Sequence, residues 1–461
     1  MAEQKKSKLG LLRQVGLIAA VAMIVGNVIG DAIFISTGPM LSGVGPALII
    51  SMTIAIIPII FICLYNILLG GALPVTMADY VVTSRALGPF AGWLIFCAAI
   101  GLWAMALGIE GFAFGAYLAE LAPAAPILPV SLGIILLLGV INYFGIRVAA
   151  IAQIIMTALF VVLPLLIFIF GGWPHMQVDL HQPFFPLGVG AMLFMVVPAV
   201  WCYIGFTSIT NFAGEIKNPR RTIPLTLAIS LAIIAAIYLA VAWVLSGLVP
   251  WEEAAETAIG VAAMGFLPES LGIFVICGAL FAFATTMNMI MVTAPRAIIA
   301  LARDNVLPAS GFFSRINRFR SPDAGLLVIV VIGLLGAPMA YNVLAYIVVI
   351  IIFMMVIHIL NALGVYLLPK KMPDIWAKAA FKFTPFWRGF ACIGTVVLAA
   401  ILLIMGVVME GWMGVVIVLG ALVLGSIYWF ARKGYLRGRG IDLDKELREL
   451  HPDTKTELEG G

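Results

Sequence analysis

The sequence predicts an all-α membrane protein with about twelve transmembrane helices. Of its 461 residues, 63% are hydrophobic and only 10% are charged, whereas soluble domains average about 45–50% apolar and about 25% charged residues. Apolar segments long enough to cross a bilayer recur from Gly16 to Phe430, with short polar breaks between them. The chain is therefore interpreted as one integral membrane domain, because a water-soluble fold could not bury so much apolar surface.

Prolines, glycines and charge clusters divide the apolar region into separate helices. The predicted helices span residues 12–36, 46–71, 89–120, 126–144, 148–171, 186–215, 224–249, 267–302, 324–341, 343–367, 388–408 and 412–431. A short segment, residues 1–11, precedes this transmembrane domain of residues 12–431, and a charged tail of residues 432–461 follows it. The tail alternates charges and lacks apolar runs, so it is predicted to be a solvated extension.

The connections between the predicted helices differ in charge on the two sides of the membrane. One set carries the basic residues, including Arg85, Arg147, Lys217 and those of residues 303–320 and 370–388. The alternate connections contain no Lys or Arg and hold the acids Glu120, Asp179, Glu252, Glu253, Glu256, Glu269 and Glu410. Because positive loops stay on the cytoplasmic side, both termini are predicted to be cytoplasmic, with the cell membrane as the location. The net charge of +4 then reflects topology, and no nucleic-acid partner is expected.

Two predicted helices carry glycines and polar residues where the bilayer centre should be. The first contains the segment Gly26-Asn27-Val28-Ile29-Gly30-Asp31, and the sixth contains Trp201-Cys202-Tyr203-Ile204-Gly205. Glycine weakens a helix, and unwound backbone inside a bilayer is tolerated only where it lines a cavity or is buried in protein. The breaks lie in the first and sixth predicted helices, and this separation of five helices is the one expected of two inverted repeats of five helices each. Alternatively, the glycines only permit close packing of helices.

Several segments follow the motifs of one known family in order and spacing. Residues 26–34 (GNVIGDAIF) are similar to its G-S-x-I-G-S-G-I-F, and residues 203–206 (YIGF) with 214–224 (GEIKNPRRTIP) are similar to its F-x-G-F and E-x-K-N-P-x-R-x-x-P. Residues 300–308 (ALARDNVLP), which follow Asn288, resemble its A-M-A-R-D-G-x-L-P, and the third helix begins with the typical Gly-Pro-Phe at residue 88. The sequence thus resembles the amino acid/polyamine/organocation transporter superfamily.

This resemblance implies the LeuT-like fold of that superfamily. Two inverted repeats of five helices would occupy about residues 12–171 and 186–367, with discontinuous first and sixth helices. Two added helices would occupy about residues 388–431. The resemblance also implies that the substrate binds between the two helix breaks. The predicted substrate-contacting residues are Gly26, Asn27, Val28, Ile29, Gly30, Asp31, Ala32, Glu110, Trp201, Tyr203, Ile204, Gly205 and Thr207.

Two acidic residues depart from the family pattern in this predicted site. Gly30-Asp31-Ala32 stands where the family has Gly-Ser-Gly, which grips the substrate's carboxylate through backbone N–H groups. Asp31 would repel such a carboxylate unless one of the two carries a proton. Alignment from the Gly-Pro-Phe start of the third helix places Glu110 at a substrate-lining position that is often apolar. The substitution pattern therefore tilts the predicted substrate toward a cationic amine, with a zwitterionic amino acid as the alternative.

Asp31 and Glu110 are also the candidate coupling residues. An ionised carboxylate near the bilayer centre costs about 2.5–3.5 kcal/mol on insertion scales, which favours a compensating function. The two acids could hold an ammonium group or carry a coupling proton. Alternatively, Glu110 pairs with a hydroxyl or backbone group between packed helices.

Three further side chains bear on the site. Trp201 lies at the break of the sixth helix, where the resemblance implies an aromatic lid, and Trp has the best cation–π face; packing is its alternative role. Thr207 replaces a Glu that the family often has after its G-F pair. His358 is a lone polar residue in the tenth helix and is expected to be satisfied by packing.

Sodium is the alternative coupling ion. Thr285 and Thr286, with the carbonyls of Gly26 and Ile29, match the sodium ligands of related carriers, although an intramembrane Thr commonly bonds within its own helix. Some family members use the amine of a Lys in the fifth helix in place of this ion. Phe160 occupies the approximate position of that Lys in this sequence, so this use of a lysine is not expected here.

The sequence therefore predicts a secondary active transporter of amino acids, polyamines or related amines that works by alternating access, coupled to protons or exchanging solutes. The first alternative is a sodium-coupled amino acid symporter. An alternative from another class is a solute-sensing receptor with the same fold. No nucleotide-binding or hydrolase motif accompanies these features, so neither an enzyme nor an organic cofactor is predicted. The partners predicted are the solute and the lipid bilayer, and the oligomeric state stays open.

Overall fold

A computed structural model describes residues 11–339, 343–410 and 412–459 of the chain. Every regular element in this described part is helical, apart from an isolated bridge between Val15 and Ile216. The predicted all-α class is therefore confirmed.

The helices of the first half begin after residue 16. Their bounds are α1 Leu17–Val28, α2 Asp31–Val44, α3 Leu48–Ala72, α4 Ala78–Ala86, α5 Pro89–Leu121, α6 Ile127–Tyr143, α7 Ile146–Ile155, α8 Leu163–Gly172, α9 Gly188–Phe194, α10 Val196–Cys202 and α11 Ser208–Asn211. A π-helical segment, Met156–Val162, joins α7 to α8.

The described second half of the chain is also helical. Its helices are α12 Pro219–Leu248, α13 Ile259–Met264, α14 Glu269–Arg303, α15 Ser310–Phe313, α16 Asp323–Gly336, α17 Val343–Lys371, α18 Pro373–Ala377, α19 Pro385–Glu410, α20 Trp412–Arg437, α21 Leu443–Glu446 and α22 Pro452–Glu459.

Eight helical stretches in the described residues are long and apolar enough to cross a membrane. The first of them, Leu17–Ala72, contains α1, α2 and α3 in succession. Three shorter apolar stretches occupy positions where full spans are predicted: Ile127–Tyr143, Gly188–Cys202, which contains α9 and α10 in succession, and Asp323–Gly336. The architecture is that of a multispan membrane protein, and the count of twelve spans stays a prediction.

A buried polar cluster fixes α6, α7 and α14 against one another. The Asn288 side chain on α14 accepts a hydrogen bond from Asn142 Nδ2 on α6 at 2.7 Å and donates to Gln153 Oε1 on α7 at 2.6 Å. Hydrogen bonds between membrane helices contribute roughly 0.6–2 kcal/mol each. This cluster holds α14, which supplies one wall of the cavity described below, in a fixed position.

Both ends of the described chain meet on one face, which we call the terminal face. It comprises residues 13–15, 213–217 and 303–304 and the tail from residue 443 to 459. Lys217 N donates to Val15 O at 2.8 Å, and the Arg13 guanidinium donates to the main-chain oxygens of Ile216 and Glu457 at 2.8 and 2.6 Å. The two ends of the described chain therefore lie on the same side of the helical domain.

The predicted solvated tail is mostly exposed or half-buried in the described residues, but part of it packs on the helical domain. Leu443 and Leu447 are buried, and the Glu457 carboxylate accepts hydrogen bonds from Thr76 N and from Arg303 Nη1, each at 2.8 Å. The tail's few leucines are too widely spaced to raise its average hydropathy, yet they suffice to anchor two short helices on the domain. Its acidic residues also meet the basic side chains of the terminal face, which adds charge-assisted hydrogen bonds.

Two arginines at or near the terminal face form buried ion pairs. The Arg85 guanidinium bonds both carboxylate oxygens of Asp304, at 2.7 and 2.8 Å, and Arg296 pairs with Glu215. A buried pair contributes mainly to a defined geometry, because desolvation offsets much of its attraction. These pairs lock α4 and residues 213–215 to the end of α14.

Candidate substrate-binding cavity

A cavity of about 120 Å³ lies between the breaks in the first and sixth predicted helices. Its walls come from α1 and α2, from α5, from the segment between α10 and α11, from α14 and from α17, and the start of α4 closes one end. A single water needs only about 10–15 Å³ of such space, so the cavity has room for several waters or for a small solute.

Most residues predicted to contact substrate line this cavity. They are Asn27, Val28, Gly30, Ala32, Glu110, Trp201, Ile204, Gly205 and Thr207, and they are joined by Thr286 of the proposed sodium site. Gly26, Ile29, Tyr203 and Thr285 are buried but are not among the lining residues. The side chain of Asp31 lies outside the described part of the structure.

The break in the first helix is two residues long. Helix α1 ends at Val28, Ile29 and Gly30 have non-helical ψ angles of 58° and −149°, and α2 begins at Asp31. Tyr238 Oη satisfies the Val28 carbonyl with a hydrogen bond of 2.7 Å. Gly30 supplies no side-chain cap to α2, so the positive N-terminal end of a fourteen-residue helix adjoins the cavity, an arrangement that attracts anions.

The break in the sixth helix depends on Gly205. Helix α10 ends at Cys202 and α11 begins at Ser208, and Gly205 between them has a φ of +124°, which L side chains rarely adopt. Asn27 Nδ2 donates to Gly205 O at 3.1 Å and to Ser208 Oγ at 2.9 Å. A single side chain of α1 therefore ties the two helix breaks together.

The cavity is acidic. Glu110 on α5 and Asp79 on α4 both line it and are each only 3% exposed. No Lys or Arg lines it in the part of the chain that the structure describes. Acidic side chains in the lining favour a cationic solute or bound protons, since negative charge stabilises a nearby positive charge.

The sequence analysis did not place two titratable groups, Asp79 and His358, in this cavity. Asp79 falls in a predicted connection between two spans, where an acid is ordinary, and nothing in its sequence context marks it as buried. His358 lines the cavity, and its Nδ1 lies 2.8 Å from Tyr65 Oη, a contact in keeping with its expected packing role. The one feature of the sequence that could have drawn attention to Asp79 is that it is the single acidic residue between Asp31 and Glu110.

The glycines of the first helix also permit close packing, as the alternative interpretation held. A Cβ at Gly26 would lie 2.0 Å from Thr157 Oγ1 on the π-helical segment, and one at Gly30 would lie 2.3 Å from Thr286 Oγ1 on α14. Close approach and the lining of a cavity therefore occur together in this helix.

The threonines of the proposed sodium site are engaged within their own helix. Thr285 Oγ1 donates to the Ala282 carbonyl at 2.7 Å, and Thr286 Oγ1 donates to the same carbonyl at 3.4 Å. Their hydroxyl oxygens retain lone pairs for a cation. Phe160, the counterpart of the family's lysine, stacks on Phe281 with a centroid distance of 4.1 Å.

A multispan helical domain with acidic side chains in a cavity between two broken helices is typical of membrane transporters. The sequence profile of the amino acid permease family matches residues 15–427. The chain belongs to this family, within the amino acid/polyamine/organocation superfamily, and it is a transporter and not an enzyme.

Several transporters are similar to this chain along most of its length. It is 25% identical over 409 residues to "Methylthioribose transporter" of Bacillus subtilis, covering 84% of this chain and 87% of that protein. It is 25% identical over 449 residues to "Branched-chain amino acid permease BcaP" of the same organism, covering 91% and 93%. It is 29% identical over 361 residues to "Cationic amino acid transporter 4, vacuolar" of Arabidopsis thaliana, covering 72% and 58%.

Proposed function

We propose that this permease is a secondary active transporter that carries an amine-containing solute, either a cationic amine or an amino acid, by alternating access. The observation that carries the proposal is the acidic cavity between the two helix breaks. Gly30 and Gly205 interrupt the helices where each passes the cavity, so the segments on either side of each break can tilt separately. Such discontinuous helices around a central site are the basis of alternating access in this architecture.

Charge favours a substrate with at least one ammonium group. Glu110 offers negative charge to an ammonium group, and the N-terminus of α2 offers a partial positive charge, which Asp31 opposes as the first residue of that helix. A cationic amine therefore matches the lining, whereas the carboxylate of an amino acid would be accepted only with a proton on one of the two carboxylates that would meet. The relatives include cationic amino acid transporters by name, which agrees with this substrate class.

The orientation and location are part of the proposal. Arg85, Arg296 and Arg303 lie at or near the terminal face, which supports cytoplasmic termini by the positive-inside rule. The cell membrane is the proposed location, although named relatives reside in vacuolar and mitochondrial membranes.

Proton coupling is proposed over sodium coupling. In proteoliposomes, uptake of the transported amine should depend on an imposed pH gradient and persist when choline replaces sodium, because the lining holds two acids that can carry protons. Flux of radiolabelled amines and amino acids is the measurement, with a protonophore added as control. Uptake that vanishes without sodium would reject proton coupling and assign the coupling ion to Thr285 and Thr286.

Trp201 should act as an aromatic lid on the bound ammonium. Trp201→Ala is expected to weaken solute binding by about tenfold and Trp201→Phe by about threefold, because a desolvated cation–π contact contributes up to about 2 kcal/mol and Phe keeps a weaker π face. Isothermal titration of purified protein measures both values. Trp387→Ala, at a side chain that is 56% exposed, is the matched control. Equal losses for Ala and Phe would instead indicate packing.

A further inference from the structure

Asp79 is a buried carboxylate at the end of the cavity nearest the terminal face. It lies in α4, outside the candidate spans, only three positions after Thr76, whose N–H binds the tail residue Glu457. Its side chain lines the cavity and is 3% exposed. The proposed function counts it only among the lining acids that can carry protons.

Among the described residues, Asp79 has one hydrogen-bond donor and no ion-pair partner. Its Oδ2 lies 3.1 Å from Thr210 Oγ1, and its Oδ1 has no hydrogen-bond partner in this part of the chain. Arg85, on the same helix, is bound to Asp304 instead. Burial raises the pKa of Asp79 to about 7, and the Thr210 hydroxyl opposes this rise.

The helices packed against α4 bring few other titratable groups to this carboxyl. On α3 and α17, Tyr65 and His358 bond to each other, and on α5 Glu110 lines the same cavity. Arg85 at the far end of α4 is paired with Asp304, and Glu457, whose carboxylate binds Thr76 N near the start of α4, is paired with Arg303. A proton or a cationic solute is therefore what remains to neutralise Asp79.

We propose that Asp79 is a proton-binding site of the transport cycle, distinct from Glu110, which faces the solute's ammonium. The carboxylate takes a proton from a hydronium ion in water that enters the cavity, so that one O–H bond of the hydronium breaks, an O–H bond forms on a carboxyl oxygen and a water molecule is left. The proton returns to water in a later state. This inference rests on the proposed transport function. It adds a coupling residue that sequence reasoning did not contain.

Thr210 links the protonation state of Asp79 to the break in the sixth helix. Its Oγ1 lies 2.7 Å from the Thr207 carbonyl as well as 3.1 Å from Asp79, yet the hydroxyl has only one hydrogen to donate. An ionised Asp79 attracts that hydrogen. A protonated Asp79 can instead donate to Thr210 Oγ1, which leaves the hydroxyl hydrogen for the Thr207 carbonyl. Since Thr207 lines the cavity, the protonation state of Asp79 alters hydrogen bonding in the break itself.

The test is Asp79→Asn, which mimics the protonated form. In proteoliposomes, the variant should keep counterflow exchange within about threefold of wild type, and it should lose accumulation driven by a pH gradient. A threefold change is smaller than the tenfold change that about 1.4 kcal/mol represents. Asp179→Asn, at an exposed acid, should match wild type in both assays. Accumulation by Asp79→Asn at the wild-type level would overturn the proposal. A loss of solute binding that is equal at every pH would also overturn it, because it would show that Asp79 binds the solute's ammonium group.

A separate readout distinguishes failure of this inference from failure of the transport proposal. Infrared difference spectra of purified protein between acidic and basic pH should contain a carboxyl band that Asp79→Asn removes, whether or not any solute is carried. A wild type without flux would reject the transport proposal and leave this titration intact. Absence of the band would reject the role of Asp79.

Thr210 supplies a graded variant of the same test. Thr210→Val removes a donor to the ionised carboxylate, and charge-assisted bonds are stronger than neutral ones, so the midpoint of the Asp79 band should move up by about one pH unit. Thr210→Ser keeps the hydroxyl and should titrate like wild type. An unchanged midpoint in Thr210→Val would show that this hydroxyl does not act on Asp79.

Discussion

Replacing Gly205 by alanine is expected to abolish most solute uptake. Gly205 has a φ of +124°, and a Cβ there would lie 2.6 Å from Asn27 Nδ2 and 3.0 Å from Val28 Cγ2, both on α1. A residue forced into such a backbone region costs about 1–3 kcal/mol. The added methyl group also displaces the amide that ties the two helix breaks. The combined effect should reduce initial uptake rates by at least about tenfold, since 1.4 kcal/mol corresponds to that factor.

Two other glycines separate strain from collision in this experiment. Gly188 has a φ of +80°, and a Cβ added there would meet no atom beyond its chain neighbours within 4 Å, so Gly188→Ala adds strain alone. Gly190 has neither feature, and Gly190→Ala should behave like wild type. Uptake is compared per amount of monodisperse protein, which removes effects on folding yield. Wild-type transport by Gly205→Ala would show that the break in the sixth helix has no part in the transport cycle.

The Glu110→Gln variant should lose affinity for cationic solutes. Glu110 is buried in the cavity wall, and removing one partner of a desolvated charge pair costs about 2–5 kcal/mol, which predicts at least a tenfold rise in Kd. A diamine should bind wild type better than an amino acid of similar length, because a carboxylate near the acids adds repulsion in a poorly solvated place. Binding titrations on the two reconstituted proteins measure both differences.

Other outcomes for Glu110→Gln would assign it a different role. Retained binding and exchange with loss of pH-driven accumulation would make Glu110 a proton carrier, as the glutamine mimics its protonated state. Binding, exchange and accumulation that are all unchanged would leave it as a buried acid satisfied by its neighbours. Glu269→Gln, at an exposed acid that begins α14, is the matched control and should match wild type in all three assays.

The sequence was sufficient to predict the helical class and the places where two helices break. Gly30 and Gly205 stand in otherwise apolar runs, and glycine there has no advantage unless the backbone departs from a helix. The predicted third helix, residues 89–120, agrees with α5 at Pro89–Leu121. Local composition decides such features, which is why they are visible without a structure.

Features that depend on distant contacts were not predictable. The π-helical segment Met156–Val162 fits beside Gly26, and its sequence differs little from an ordinary helix. The tail binds because Glu457 meets Thr76 and Arg303, residues remote in the chain. Asp79 likewise becomes a cavity residue only through the packing of α4 between α5 and α17. Each of these outcomes depends on tertiary packing, which single-sequence patterns do not encode.

The central claim is that an amine-containing solute binds in the cavity between the two helix breaks. Ala106 lines this cavity four residues before Glu110 on α5, and the five native cysteines are absent from the described lining. A small thiol reagent should modify Ala106→Cys, and a transported amine should slow this reaction in proportion to its occupancy. Ala124→Cys, in the exposed turn after α5, should react at the same rate with or without solute. Protection of Ala106→Cys alone is the predicted result, whereas equal labelling of Ala106→Cys with and without a solute that the protein transports would contradict the claim.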